Sequence, residues 1–149
     1  MSSLRTLIVI ADGAHARFFV HDGPGKGFEA LSKEEMDSEV PAGRDIMADR
    51  PGRAFSSGSE GRSAMEPKSD PRDLVEKEFV HKVLERAESL LASHEAERLV
   101  IAADPRSLGE MRKAISPQLE GKLTATLDKD LTKIPVKDLP KHFEGVLVV

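Results

Sequence analysis

No cysteine occurs anywhere in this chain. Disulfides, thiolate catalysis, iron–sulfur clusters and cysteine-based zinc sites are thereby excluded together, and the composition is compatible with a reducing compartment. Tryptophan and tyrosine are missing too, which leaves six phenylalanines as the only aromatic residues within an apolar fraction of 39%. The core must therefore be largely aliphatic, and a chain of 149 residues is long enough to bury one. Long apolar runs are also lacking. The first, Leu7-Ile8-Val9-Ile10-Ala11, falls well short of the roughly 20 residues that span a bilayer, and it lacks the length and cleavage context of a signal peptide. The expected location is the cytoplasm, with no membrane partner. Positive charge is not in excess, since the net charge is -4. That balance argues against binding nucleic acid with the whole surface, but it leaves room for a local basic patch.

Several catalytic signatures are absent as well. The histidines at 15, 21, 81, 94 and 142 show no metal-ligand spacing, so each is assigned a core or surface role. Gly23-Pro24-Gly25-Lys26-Gly27 lacks both the spacing of a phosphate loop and the hydroxyl residue after lysine, and it reads as a turn. Ser57 and Ser59 lie among glycines without forming a nucleophile elbow.

What is present is a succession of short elements. Leu7 to Ala11 is apolar and β-branched, as suits a central strand covered on both faces. Asp12-Gly13 follows, a pair that favours the positive φ angles of a tight hairpin. The next strand alternates, with Ala14, Ala16, Phe18 and Val20 on one face and His15, Arg17 and Phe19 on the other. A weaker third strand is expected over Phe28 to Lys33. Residues 34–69 show no period of either kind and read as one long mobile loop. Asp70-Pro71 then caps and starts a helix. Its apolar side carries Val75, Phe79, Val83, Ala87 and Leu90, and it should end near Ser93. Arg98 to Ala103 is a buried strand. Asp104-Pro105 starts a short helix lined by Leu108, Met111 and Ile115, which Ser116-Pro117 stops. Leu123, Ala125 and Leu127 alternate with Thr124 and Thr126 as a fifth strand. A last short helix is expected over Asp138 to Phe143, and Gly145 to Val149 forms a tail or an extra strand.

The predicted fold is a single α/β domain over residues 1–149, ordered β-β-β-α-β-α-β-α. The hairpins require antiparallel pairing, and the later crossovers require parallel strands. This is the element order of a ribonuclease-H-like mixed five-stranded sheet.

Two groups of residues are candidates for chemistry. The long loop carries Arg44, Arg50, Arg53 and Arg62 among Gly52, Ser57, Gly58, Gly61 and Ser63. Guanidinium groups fork onto phosphates, and small residues let a backbone approach RNA closely. Asp45, Asp49 and Glu60 nearly cancel the charge, as in a merely solvated loop. The second group is acidic. If the first and fourth strands are parallel neighbours, Asp12 and Asp104 close the same sheet edge and Asp128 ends the adjacent strand there. Three such carboxylates, with Glu76 or Glu78 as a fourth, can hold Mg²⁺ for phosphodiester hydrolysis. Each also has a plain reading: Asp12 forms a turn, Asp104 caps a helix, and Asp128 opens a turn.

Blocks spread along the chain carry a family resemblance. They are Val9 to Phe19 (VIADGAHARFF), Arg50 to Phe55 (RPGRAF), Asp70-Pro71 leading into Phe79, Leu99 to Asp104 (LVIAAD), Leu108 to Arg112 (LGEMR) and Asp128 to Thr132 (DKDLT). In their order and spacing they resemble the bacterial family called protein required for attachment to host cells. That family is in turn similar to the middle domain of archaeal and eukaryotic class I peptide release factors. In those factors, a loop before the long helix carries Gly-Gly-Gln and promotes hydrolysis of peptidyl-tRNA. Here the corresponding stretch is Glu60-Gly61-Arg62-Ser63-Ala64, with Arg62 at the glutamine position, and the chain's only glutamine is Gln118. The resemblance therefore implies a non-catalytic module that associates with the ribosome or its RNA through the loop and needs no cofactor. With no export signal, any part in attachment is expected to be indirect. The alternatives are an Mg-dependent nuclease using Asp12, Asp104 and Asp128, and a protein-interaction domain.

Overall fold

The computed structural model describes residues 4–38 and 71–149. Strand β1 (Thr6–Ala11) is buried along its whole length. It pairs antiparallel with β2 (His15–His21), placing Thr6 opposite His21 and Ala11 opposite Ala16. The turn between them is built by a carboxylate. Asp12 Oδ1 accepts from the amides of Ala14 (2.8 Å) and His15 (2.7 Å), and the Asp12 amide donates to the His15 carbonyl. Positive φ was expected at Gly13. It occurs instead at Gly23, Gly25 and Gly27, in the next turn. Gly13 matters for a different reason, because a Cβ there would sit 2.9 Å from Cγ and Cδ of Glu76.

The expected third strand is broken. Only β3 (Glu29–Ala30) pairs with β2, opposite Phe19 and Val20. The chain then leaves the pleat in a 3-10 turn, Ser32–Glu34, and returns as β4 (Met36–Asp37), which also pairs with β2. The turn is held from outside the sheet, since Arg86 donates to the Glu34 carbonyl (3.0 Å) and carboxylate (3.2 Å). Residues 34–38 thus belong to the sheet edge, not to the loop assigned from sequence. The sheet gains a sixth strand, and its order is β3-β2-β1-β5-β6 with β4 beside β2.

Helix α1 (Pro71–Ser93) buries Phe79, Val80, Val83, Leu84, Ala87, Leu90 and Leu91, close to the predicted face. Its C-terminus closes as a Schellman motif. The Ala96 amide reaches the Leu91 carbonyl and the Glu95 amide reaches Ala92, with Glu95 left-handed at φ 53. Glycine is the usual residue there because a Cβ is disfavoured in that region. Glu95→Gly is accordingly expected to raise stability by up to about 1 kcal/mol, read as the midpoint of a urea melt. A loss would show that the Glu95 side chain contributes more than the strained φ costs.

Strand β5 (Arg98–Ala103) runs parallel to β1, and β6 (Leu123–Asp128) runs parallel to β5. The register shifts where Leu99 faces Leu123 and Val100 faces Ala125, so Thr124 is an extra, bulged residue. Between these strands lie α2 (Pro105–Ala114) and α3 (Pro117–Lys122). Ser116-Pro117 does more than stop α2. It also starts α3, because the Ser116 hydroxyl accepts the Leu119 amide at 3.1 Å.

Alternation along β1, β2 and β5 divides the core. Leu7, Val9, Phe18, Leu99 and Ile101 face the helices. Ile8, Ile10, Phe19, Val100 and Ala102 face a layer made by Phe28, Leu131, Leu139, Phe143 and Leu147. This second layer is irregular. The expected helix over Asp138 to Phe143 is replaced by two 3-10 turns, Val136–Asp138 and Pro140–Phe143, and Pro140, which has no amide to donate back to Val136, separates them. Arg17 ties the layer down by donating to the Thr132 (3.2 Å) and Ile134 (2.7 Å) carbonyls. The terminal residues form a tail rather than a strand, with the Gly25 amide donating to Val149. Among the described residues no helix is long and apolar enough to cross a membrane.

Candidate functional site

Strands β1, β5 and β6 are parallel neighbours, with Ala11 opposite Ala103 and Ala103 opposite Asp128. Their carboxyl ends therefore share one edge, as the sequence reading required, and the connections after them meet there. The acidic residues on that edge have local tasks. Asp12 holds the β1–β2 turn. Its carboxylate also stands 3.4 Å from Nδ1 of His15, whose Nε2 lies 3.8 Å from Asp37. Asp104 caps α2 through Oδ2, which accepts the Ser107 amide at 3.2 Å, while its Oδ1 is buried with no hydrogen-bond partner among the described residues. Asp128 is exposed at the end of β6. The three do not converge on one point. Among the described residues, no group of three or more His, Cys, Asp or Glu side chains could hold a metal ion. Glu76 and Glu78 are divided as well. Glu76 packs on Gly13, whereas Glu78 lines a separate groove with Glu35 and Met36, as a two-residue separation on a helix requires.

The two oxygens of Asp104 make its replacement informative. Asp104→Ala removes a cap and is expected to cost about 1 kcal/mol. Asp104→Ser keeps one acceptor for the Ser107 amide and removes the unsatisfied oxygen, so it should be neutral or stabilising. Thermal melts of the two variants check this, and equal losses in both would refute the capping role.

Beside this edge, Arg106 of α2 bridges Asp73 and Glu76 of α1, approaching Glu76 at 3.4 Å. A cleft of about 300 Å³ lies there, lined by both signs of charge, including Lys77, Glu110 and Lys113. Sequence reasoning passed over Arg106. An arginine in a first turn opposes the helix dipole, and that was the available hint of a tertiary partner.

The loop residues Arg44, Arg50, Gly52, Arg53, Ser57, Gly58, Gly61, Arg62 and Ser63 all lie outside the described residues, as does Asp70. Their flanks are positioned. The Ser38 amide donates to the Ala14 carbonyl at 2.7 Å, and Glu76 lies against Gly13. The strand before residues 39–70 and the first turns of the helix after them thus meet at the β1–β2 turn, on the carboxyl edge of the sheet.

Comparison with known proteins adds two findings. A family model described as protein required for attachment to host cells matches residues 7–143. The crystal structure of an archaeal translation termination factor is similar in fold, with a TM-score of 0.51 and 15% identity. The match covers 93% of this chain but 36% of that factor, so the chain spans about a third of its length. Among curated proteins, none matches the sequence.

Proposed function

This chain belongs to the family of proteins required for attachment to host cells, and on that premise we propose that it is a non-catalytic module that binds ribosomal RNA, acting as one domain over residues 1–149. The observation that carries the reading is the likeness in fold to a translation termination factor along nearly the whole chain. The contacts are assigned to Arg44, Arg50, Arg53 and Arg62, which lie between a strand and a helix that meet at one edge of the sheet. Gly52, Ser57, Gly58, Gly61 and Ser63 leave the backbone around them unencumbered by large side chains. Arg62 is always charged and has donors but no acceptor, so it cannot take a proton from a water attacking an ester. No peptidyl-tRNA hydrolysis is expected. A part in attachment then follows indirectly, through the synthesis of other proteins.

Co-sedimentation with ribosomes at several salt concentrations tests the proposal. Affinity should fall steeply with salt as arginines release counterions from phosphates. Each of Arg50→Ala, Arg53→Ala and Arg62→Ala should reduce the salt slope by about one unit. Salt-independent binding, or binding that survives all three changes together, would remove these arginines from the mechanism. Absence of binding would leave the protein-interaction reading.

A further inference from the structure

The far end of α1, away from the β1–β2 turn, borders a second groove. It lies between the last turns of α1 and α3 and has a volume of about 470 Å³, within the roughly 300–1,000 Å³ usual for ligand clefts. Its floor is aliphatic. Leu91 of α1, Ala96 of the Schellman turn and Leu119 of α3 line it and are all buried, and Ala92 stands exposed beside them.

The rim is acidic. Glu88, Glu95 and Glu97 line the groove and are exposed, against one lining cation among the described residues, Lys122. Arg5, whose amide donates to Glu97 at 2.9 Å, commits its guanidinium to Asp22 and the His94 carbonyl. The backbone adds charge of the same sign. α1 has no basic residue in its last turn, so nothing in that turn offsets the partial negative charge at the carboxyl end of the helix. The opposite partial charge at the start of α3 is met by Glu120 in its first turn.

An aliphatic floor inside an acidic rim selects its occupant. Apolar contact calls for an aliphatic side chain, and the field calls for positive charge on either side of it. A nucleic acid would set phosphates against these carboxylates, and like charges brought together oppose binding. We propose that this groove docks a basic amphipathic peptide segment of another protein, with an aliphatic side chain over Leu91, Ala96 and Leu119 and flanking lysines or arginines beside Glu88 and Glu95. The 23 residues of α1 separate the groove from the β1–β2 turn by roughly 35 Å. Peptide and RNA would thus occupy different ends of the molecule, and the docking does not rest on the RNA reading.

Fluorescence polarisation with the full chain tests the docking. The probes are short synthetic peptides in which paired leucines are flanked by lysine, by glutamine or by glutamate. Affinity should fall in that order, and binding of the lysine series should weaken as salt rises. Glu88→Gln and Glu95→Gln should each weaken the lysine series about two- to fivefold and leave the glutamine series unchanged. Ala92→Trp, at an exposed position, fills the groove and should abolish binding of both series with the circular dichroism spectrum unaltered. Lysine- and glutamate-flanked peptides that bind alike, binding that survives Ala92→Trp, or no binding of the lysine series up to roughly 1 mM would each overturn the proposal.

Discussion

Replacing Phe143 with alanine should cost about 3–5 kcal/mol, the usual range for removing a fully buried aromatic side chain. Phe143 is 0% exposed although it lies in a 3-10 turn. Its ring meets Phe28 edge-on at 5.3 Å, and Phe28 in turn contacts Phe19 of β2 at 6.2 Å. Three of the six phenylalanines thus form one chain of rings from the sheet to the C-terminal segment. Deleting the outermost ring leaves a void that the aliphatic neighbours Ile8, Ile10 and Leu139 cannot fill without leaving their rotamers. For a chain of this size, the loss corresponds to roughly 10–15 °C in Tm. Urea denaturation followed by circular dichroism measures it. A cost below about 1 kcal/mol would mean that the irregular layer does not stay packed on the sheet, and half of the core assignment would fall with it.

His21 should show the second large effect. It is 0% exposed, and each ring nitrogen faces a carbonyl oxygen, Nδ1 that of Gly27 at 2.9 Å and Nε2 that of Val148 at 3.1 Å. The ring also packs edge-on against Phe28 at 5.3 Å. One imidazole thereby joins β2, the glycine turn and the C-terminal tail. His21→Leu keeps most of the volume and removes the ring N–H, which a neutral imidazole donates to one of these two carbonyls. Losing the one hydrogen bond that this buried donor makes costs about 1–3 kcal/mol, and a loss in that range is expected. His21→Gln can still donate to one carbonyl and should lose less. Hydrogen exchange supplies an independent readout, because amides near residues 145–149 should exchange faster in His21→Leu even where the protein stays folded. An unchanged melt for His21→Leu would mean that water reaches these carbonyls and that the histidine is not a clasp.

The parts that were legible are those whose patterns are local. Arg98 to Ala103 is apolar at nearly every position, and only a strand covered on both faces tolerates this over so short a run. The Asp104-Pro105 signal specified a cap that the structure places on the Ser107 amide. Ser116-Pro117 carried the same signal and was passed over, because a stop for one helix concealed the start of the next. The misreadings elsewhere share a cause. Phe28 to Lys33 has strand composition, yet the chain turns at Ser32 under the hold of Arg86, 52 residues away from Glu34. Asp138 to Phe143 has helical spacing, but Pro140 separates two 3-10 turns there and the second carries Phe143 into the core.

The carboxylates show the same division at the candidate site. Their delivery to a common edge followed from parallel neighbouring strands and was inferable from element order. Their separate engagements, with turn amides at Asp12 and a helix amide at Asp104, depend on side-chain directions within that edge. Sequence by itself therefore determined the elements with strong periods, the mixed α/β class, the family, and the set of residues able to carry charge to one edge. Tertiary structure alone decided which groups meet: Arg17 with Ile134, His21 with Val148, and Arg106 with Asp73 and Glu76. The physical reason is range. Periodicity and capping act over a few residues through backbone geometry, whereas these contacts join positions from 30 to 127 residues apart and exist only once the sheet has brought its two faces under cover.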